Sequence, residues 1–211
     1  MTNKSDLLKG LYVVTDRPLC LERSMSVDRI GALAIAGGAQ IIQYRNKQSS
    51  PAVCLYEADI LAKLCRKLGA ILLINDDVEL AVEVGADGAH LGQDDMNIRQ
   101  ARLHLGPDKI IGITCHNDLQ LAQQAEQAGA DYVAFGRFFA SASKPSAPAA
   151  TLEILQQAIK ELSIPVCAIG GITTDNAPEL ISNGAHMLAV VHGVFGAWEI
   201  TQAAKSYVKL F

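Results

Sequence analysis

The feature that most constrains folding is a unit that recurs along the chain. An amphipathic stretch closes on Gly-Ala, and an apolar run begins directly afterwards. The unit appears at Gly38-Ala39, Gly69-Ala70, Gly85-Ala86, Gly129-Ala130 and Gly184-Ala185. Glycine suits the left-handed residue that follows a helix, and a small alanine lets the next strand start close behind it. The spacing is irregular, which excludes a fixed-period solenoid and leaves repeated helix-to-strand connection chemistry.

Eight short apolar runs fit strands: Leu11–Thr15, Gln40–Tyr44, Ala70–Ile74, Gly88–Leu91, Lys109–Ile113, Asp131–Phe135, Ile164–Ile169 and His186–Val191. Most are continuous rather than alternating, as expected of parallel strands buried on both faces. Amphipathic stretches lie between them, among them Val27–Ala36, Val53–Leu68, Asp118–Ala128, Leu152–Leu162 and Asp175–Ser182. Asn117 or Asp118, and Thr174 or Asp175, suit the N-cap positions of two of these. Eight strand–helix alternations predict a (β/α)8 TIM barrel of the α/β class, one domain over residues 1–211 with its active site on the C-terminal rim of the strands. The runner-up, an open doubly wound sheet, calls for G-x-G-x-x-G after the first strand, and the sequence has none there. Ala140–Ala150, rich in Ala, Ser and Pro, reads as a mobile loop after the sixth strand.

Half of the 211 residues are hydrophobic, enough for a sizeable core, and the formal net charge is −4. That balance lacks the basic face of a nucleic-acid binder. Cys20, Cys54, Cys65, Cys115 and Cys167 form an odd set without a C-x-x-C pair. They read as reduced, inert thiols. The stretch Met1 to Lys9 lacks the apolar core of a signal peptide. No apolar run approaches the roughly 18 residues needed to cross a bilayer. A cytoplasmic protein without a membrane partner is expected, and the sequence leaves a homo-oligomer open.

The polar residues gather where strands end. Asp16 and Arg17 follow the first run, then Gln43, Arg45 and Lys47 the second, and Asn75, Asp76 and Asp77 the third. Gln93, Asp94 and Asp95 follow the fourth, Thr114 and His116 the fifth, and Arg137, Ser141, Ser143 and Lys144 the sixth. Gly170-Gly171 and His192-Gly193 close the last two. In a barrel all of these share one rim. Asp76 and Asp95 could supply the one or two carboxylates that Mg²⁺ takes from a protein, whereas Asp77 and Asp94 read as helix caps. Arg45, Lys47, Lys144 and a Mg²⁺, set against Asp76 and Asp95, leave about +3, which balances the roughly −3 of a diphosphate ester. The glycines after runs seven and eight stand where barrels hold a phosphate on backbone N–H groups. The rim thus has room for two small phosphorylated substrates.

Tyr12-Val-Val-Thr-Asp16, Gln43-Tyr-Arg-Asn-Lys47, Ile74-Asn-Asp-Asp-Val-Glu-Leu80, His90-Leu-Gly-Gln-Asp-Asp95, Gly136 through Lys144 and Gly170-Gly-Ile172 together resemble the successive motifs of the thiamine phosphate synthase family. The resemblance spans nearly the whole chain. It implies a transferase that condenses 4-amino-2-methyl-5-(diphosphooxymethyl)pyrimidine with 4-methyl-5-(2-phosphooxyethyl)thiazole, releasing pyrophosphate with help from Mg²⁺. It implies that Gln43, Tyr44, Arg45, Asn46, Lys47, Asn75, Thr114 and Lys144 bind the pyrimidine diphosphate, and that Asp76 and Asp95 hold the metal. Arg45, Lys47, Lys144 and Thr114 become the candidate catalytic groups. Thr114 stands where the family carries a Ser. Ser141, Ala142, Ser143, Gly171, Val191 and His192 match positions that hold the thiazole phosphate. Departures concentrate on that side: Arg137-Phe-Phe139 replaces a Pro-Ile-Tyr type of segment, Ala140 replaces a Pro, and His192 stands where Ser is usual.

Two rival functions remain. One is the isomerase relative, a thiazole tautomerase, against which Asn75-Asp76 and Gln93-Asp-Asp95 argue. The other is a non-catalytic phosphate-ester-binding barrel. His116 and His192 fit orientation or packing roles, because this chemistry needs no general base.

Overall fold

A computed structural model describes residues 4–140 and 148–211. Strands β1 (Gly10–Val14), β2 (Ile41–Tyr44), β3 (Ile71–Asn75), β4 (Gly88–Leu91), β5 (Ile110–His116), β6 (Tyr132–Phe135), β7 (Val166–Ile169) and β8 (Met187–Val190) run parallel in chain order. β8 pairs back onto β1, with Leu188 opposite Leu11, and closes a (β/α)8 TIM barrel. That closure excludes the open sheet.

Helix α1 (Lys4–Leu7) precedes the barrel, and α2 (Arg17–Glu22) and α3 (Val27–Ala36) follow β1. After β2 to β7 come α4 (Pro51–Leu68), α5 (Val78–Glu83), α6 (Ile98–Leu105), α7 (Leu119–Ala128), α8 (Leu152–Glu161) and α9 (Ala177–Ser182). α10 (His192–Phe195) and α11 (Ile200–Val208) end the chain.

The Gly-Ala units do what their chemistry suggests. All five glycines have φ between 63° and 99°. Each alanine N–H then reaches back five residues to a helix carbonyl, from Ala39 to Ala34 through Ala185 to Leu180, at 2.9–3.1 Å. This is a Schellman closure. Asp118 caps α7, its carboxylate accepting from Gln120 and Leu121 N–H. At α9 the expected cap is wrong: Asn176 holds that position, and its Oδ1 accepts from Thr173 N–H, one residue before the predicted caps.

Strand alternation makes two cores. Outward residues such as Leu11, Ile42, Leu72, Ile111, Val133 and Leu188 pack against the helices. Inward residues such as Tyr12, Leu73, Tyr132, Cys167 and Met187 fill the barrel. Both faces are therefore apolar, which explains the continuous runs in the sequence. β5 runs three residues past its predicted end, through a register shift between Thr114 and His116. No helix among the described residues is long and apolar enough to cross a membrane.

Candidate active site

A cavity of about 670 Å³ opens where the strands end. Gln43, Arg45, Lys47, Asn75, Asp76 and Asp95 line it from β2 to β4. Thr114, Gly171, Val191 and His192 line it from β5, β7 and β8. Four of the five groups expected around a diphosphate thus share one space. The fifth, Lys144, lies outside the described residues, as do Ser141, Ala142 and Ser143.

Local structure fixes the cationic side. The Thr15 hydroxyl accepts from Arg45 N–H at 2.8 Å and donates to Arg45 O at 3.2 Å, pinning the chain just beyond β2. Inward–outward alternation persists past the strand end, so Gln43, Arg45 and Lys47 face the cavity. For the same reason the side chains of Tyr44 and Asn46 turn away, and neither residue lines the cavity. Tyr44 Oη donates to Glu57 Oε2 at 2.9 Å, and Asn46 Nδ2 donates to the same oxygen at 2.9 Å. Arg17 completes this cluster with Nη1 2.6 Å from Glu57 Oε1. Arg17 therefore braces the rim from behind.

The carboxylates stand opposite. Asp76 occupies a left-handed conformation, φ 65°, anchored by its N–H to His90 O at 2.9 Å. A non-glycine residue held there stores strain of the kind found at functional sites. Lys47 Nζ lies 2.8 Å from Asp76 Oδ2. Burial alone would raise the Asp76 pKa, but hydrogen bonds from Lys47 and Asp95 and the Lys47 charge hold it below the ordinary value. Asp95 is pushed upward by burial and by facing Asp76, against the pull of Gly92 N–H at 2.7 Å. Two hard oxygen donors side by side in a cavity suit a hard cation completed by substrate and water.

Asp77 and Asp94 divide. Asp77 caps α5, accepting from Leu80 N–H at 2.8 Å. Asp94 is no cap, because Asn97 caps α6, and Asp94 lines the cavity instead. The glycine pair also has close protein neighbours. A Cβ on Gly170 would meet Arg137 Cβ at 2.3 Å, and one on Gly171 would meet Ala140 O at 2.3 Å. These glycines make room for the segment after β6, whose Phe138 and Phe139 N–H groups bond Ile169 O and Gly170 O. Thr15, His90 and Arg137 also line the cavity and were not among the predicted site residues. His90 sits at an inward position of β4, a polar residue in an apolar run, and that pattern could have flagged it. Cys167 reaches the cavity as well, but burial raises its thiol pKa far above the usual range, leaving a poor nucleophile.

The family model described as thiamine monophosphate synthase matches residues 11–194. The thiamine-phosphate synthase of Alcanivorax borkumensis is 48% identical over 189 residues, covering 90% of this chain and 86% of that one. The thiamine phosphate pyrophosphorylase of Pyrococcus furiosus superposes with a TM-score of 0.89 at 35% identity, covering 99% of this chain and 97% of that one. A thiamine phosphate pyrophosphorylase of Bacteroides thetaiotaomicron, at 20% identity, TM-score 0.71 and coverage of 95% and 96%, shares the fold. This barrel therefore belongs to the thiamine monophosphate synthase family, as an enzyme of the thiamine-phosphate-forming transferase type.

Proposed function

We propose that the chain, folded as one domain in the cytoplasm, joins 4-amino-2-methyl-5-(diphosphooxymethyl)pyrimidine to 4-methyl-5-(2-phosphooxyethyl)thiazole at the barrel rim, releasing pyrophosphate. The observation that carries this reading is the shared cavity of Arg45, Lys47, Asn75, Asp76 and Asp95. Asp76 and Asp95 would hold Mg²⁺, whose charge when bound offsets that growing on the leaving diphosphate. Arg45, Lys47 and Asn75 bind its oxygens, joined by Lys144. As the C–O bond breaks, the electron-rich aminopyrimidine carries the methylene cation, and the thiazole nitrogen attacks that carbon. The protein supplies no nucleophile. Its residues align two substrates and stabilise the departing anion. Gln43 and Thr114 contact the pyrimidine, while Gly171, Val191 and His192, with Ser141, Ala142 and Ser143, border the thiazole phosphate.

Leaving-group charge grows towards the transition state, so these contacts act on kcat more than on binding. Lys47→Ala and Asp76→Asn are each expected to lower kcat about 10²-fold, by analogy with loss of one preorganised electrostatic group. Pyrophosphate release from both substrates with Mg²⁺ reads this directly. EDTA should abolish the signal and added Mg²⁺ restore it. Near wild-type rates in both variants would refute the assignment. Absence of pyrophosphate from the intact protein would favour a non-catalytic phosphate-ester binder.

A further inference from the structure

Beneath the rim, the barrel interior holds a continuous hydrogen-bonded chain of five side chains. Gln43 Nε2 donates to Tyr12 Oη, which lies 2.9 Å from Tyr132 Oη. Tyr132 Oη is 2.7 Å from His90 Nδ1, and His90 Nε2 is 2.8 Å from Thr114 Oγ1. Gln43, Tyr12, His90 and Thr114 border the cavity, whereas Tyr132 is fully buried and does not reach it. The strand beside Tyr132 is shaped around it, since a Cβ on Gly112 would fall 2.0 Å from its ring. Tyr132 also stacks on His90 at 5.6 Å and meets Tyr12 edge-on at 6.1 Å.

Proton bookkeeping gives this chain a direction. Burial pushes both phenols well above their ordinary pKa, so each keeps its single proton. Tyr12 already accepts from Gln43. If Tyr132 also donated to it, the buried Tyr12 proton would have no acceptor among these side chains, a costly arrangement. Tyr12 therefore donates to Tyr132, and Tyr132 donates to His90 Nδ1. His90 carries its proton on Nε2 and donates to Thr114. The Thr114 O–H is left to donate into the cavity, and Gln43 Oε1 is left to accept.

We infer that the buried Tyr12–Tyr132–His90 chain is a positioning device that sets the polarity of the pyrimidine subsite, presenting an acceptor at Gln43 and a donor at Thr114. This deepens the proposed function and rests on its pyrimidine diphosphate substrate. An aminopyrimidine carries an amino donor and a ring-nitrogen acceptor, the complement of these two groups. A 4-oxo ring, with C=O beside ring N–H, presents the reverse pattern. Accepting it requires the amide to flip, both phenols to rotate and His90 to change tautomer together. Sites built on such complementary hydrogen bonds discriminate strongly against a reversed partner.

Two measurements test the inference. Nitrogen-15 NMR of the ligand-free protein, with His90 assigned by the loss of its signals in His90→Asn, should show protonation on Nε2. Protonation on Nδ1 overturns the polarity. Steady-state kinetics should then compare the amino substrate with 2-methyl-4-oxo-5-(diphosphooxymethyl)pyrimidine. Tyr132→Phe keeps the ring and removes the linking hydroxyl. It is expected to reduce the amino/oxo ratio of kcat/KM about tenfold, the scale of one lost discriminating hydrogen bond, with the KM for thiazole phosphate unchanged. A folded variant with the wild-type ratio defeats the inference, whatever its melting temperature. Should the variant not fold, the wild-type tautomer decides alone. Failure of the underlying function would show separately, as no pyrophosphate from the wild-type protein with the amino substrate.

Discussion

At the residue scale, Thr114 shows how little separates a core position from a working one. It sits on an inward position of β5, bonded to His90 on one side and bordering the cavity on the other. Its hydroxyl, not its methyl, is the group the proposed chemistry uses. Thr114→Ser should therefore keep kcat/KM for the pyrimidine diphosphate within about threefold of wild type. Thr114→Val, which matches the shape but removes the hydroxyl, should lower it about 10- to 100-fold, the size of one lost substrate hydrogen bond. Equal rates in the two variants would show that the hydroxyl has no part. Lys47 and Asp76 illustrate the same point in charge. In the free protein they neutralise each other at 2.8 Å, an exposed pairing on the Lys47 side that adds little stability. Its value lies in keeping both groups at the rim, ready for an anion and a cation.

At the element scale, the rim after β2 is held by α4. Glu57, on the buried face of α4, collects Arg17, Tyr44 and Asn46. These ties position the loop that carries Arg45 and Lys47. Removing the charge leaves Arg17 and two amide and phenol donors poorly matched. Glu57→Gln should cost about 2 kcal/mol, allowing for the partial exposure of Arg17, or about 6 °C in Tm for a chain of this size. An unchanged Tm in thermal unfolding would contradict this role. Sequence reasoning missed Glu57 because a lone Glu in an amphipathic stretch looks like an exposed residue. It read Gln43 to Lys47 as one contiguous surface, although a strand sends alternate side chains to opposite faces, and Tyr44 and Asn46 turn to Glu57. The strands themselves were legible, since apolar runs buried on both faces are continuous. The end of β5 was not, because Thr114-Cys115-His116 interrupts the apolar run. Short helices such as α2 and α10 carry too few turns for a periodic pattern.

At the scale of the whole molecule, closing the sheet turns eight separate strand ends into one site. Each polar cluster in the sequence could have been an ordinary loop, and only closure brings Arg45, Lys47, Asp76 and Asp95 into a common cavity. This much of the site was readable before the fold, because polar groups of distinct chemistry followed successive strands. The chain across the interior was not readable, because Tyr12 and Tyr132 look like ordinary core aromatics until their hydroxyls are seen to meet. The glycines after β7 have a packing role that was not readable either: they make room for the segment after β6. The most direct test of the central claim is a crystal structure of the protein with Mg²⁺ and pyrophosphate. The account predicts metal density held by Asp76 and Asp95, with the diphosphate oxygens on Arg45, Lys47 and Asn75. Pyrophosphate bound away from these residues, with the cavity free of metal, would contradict it.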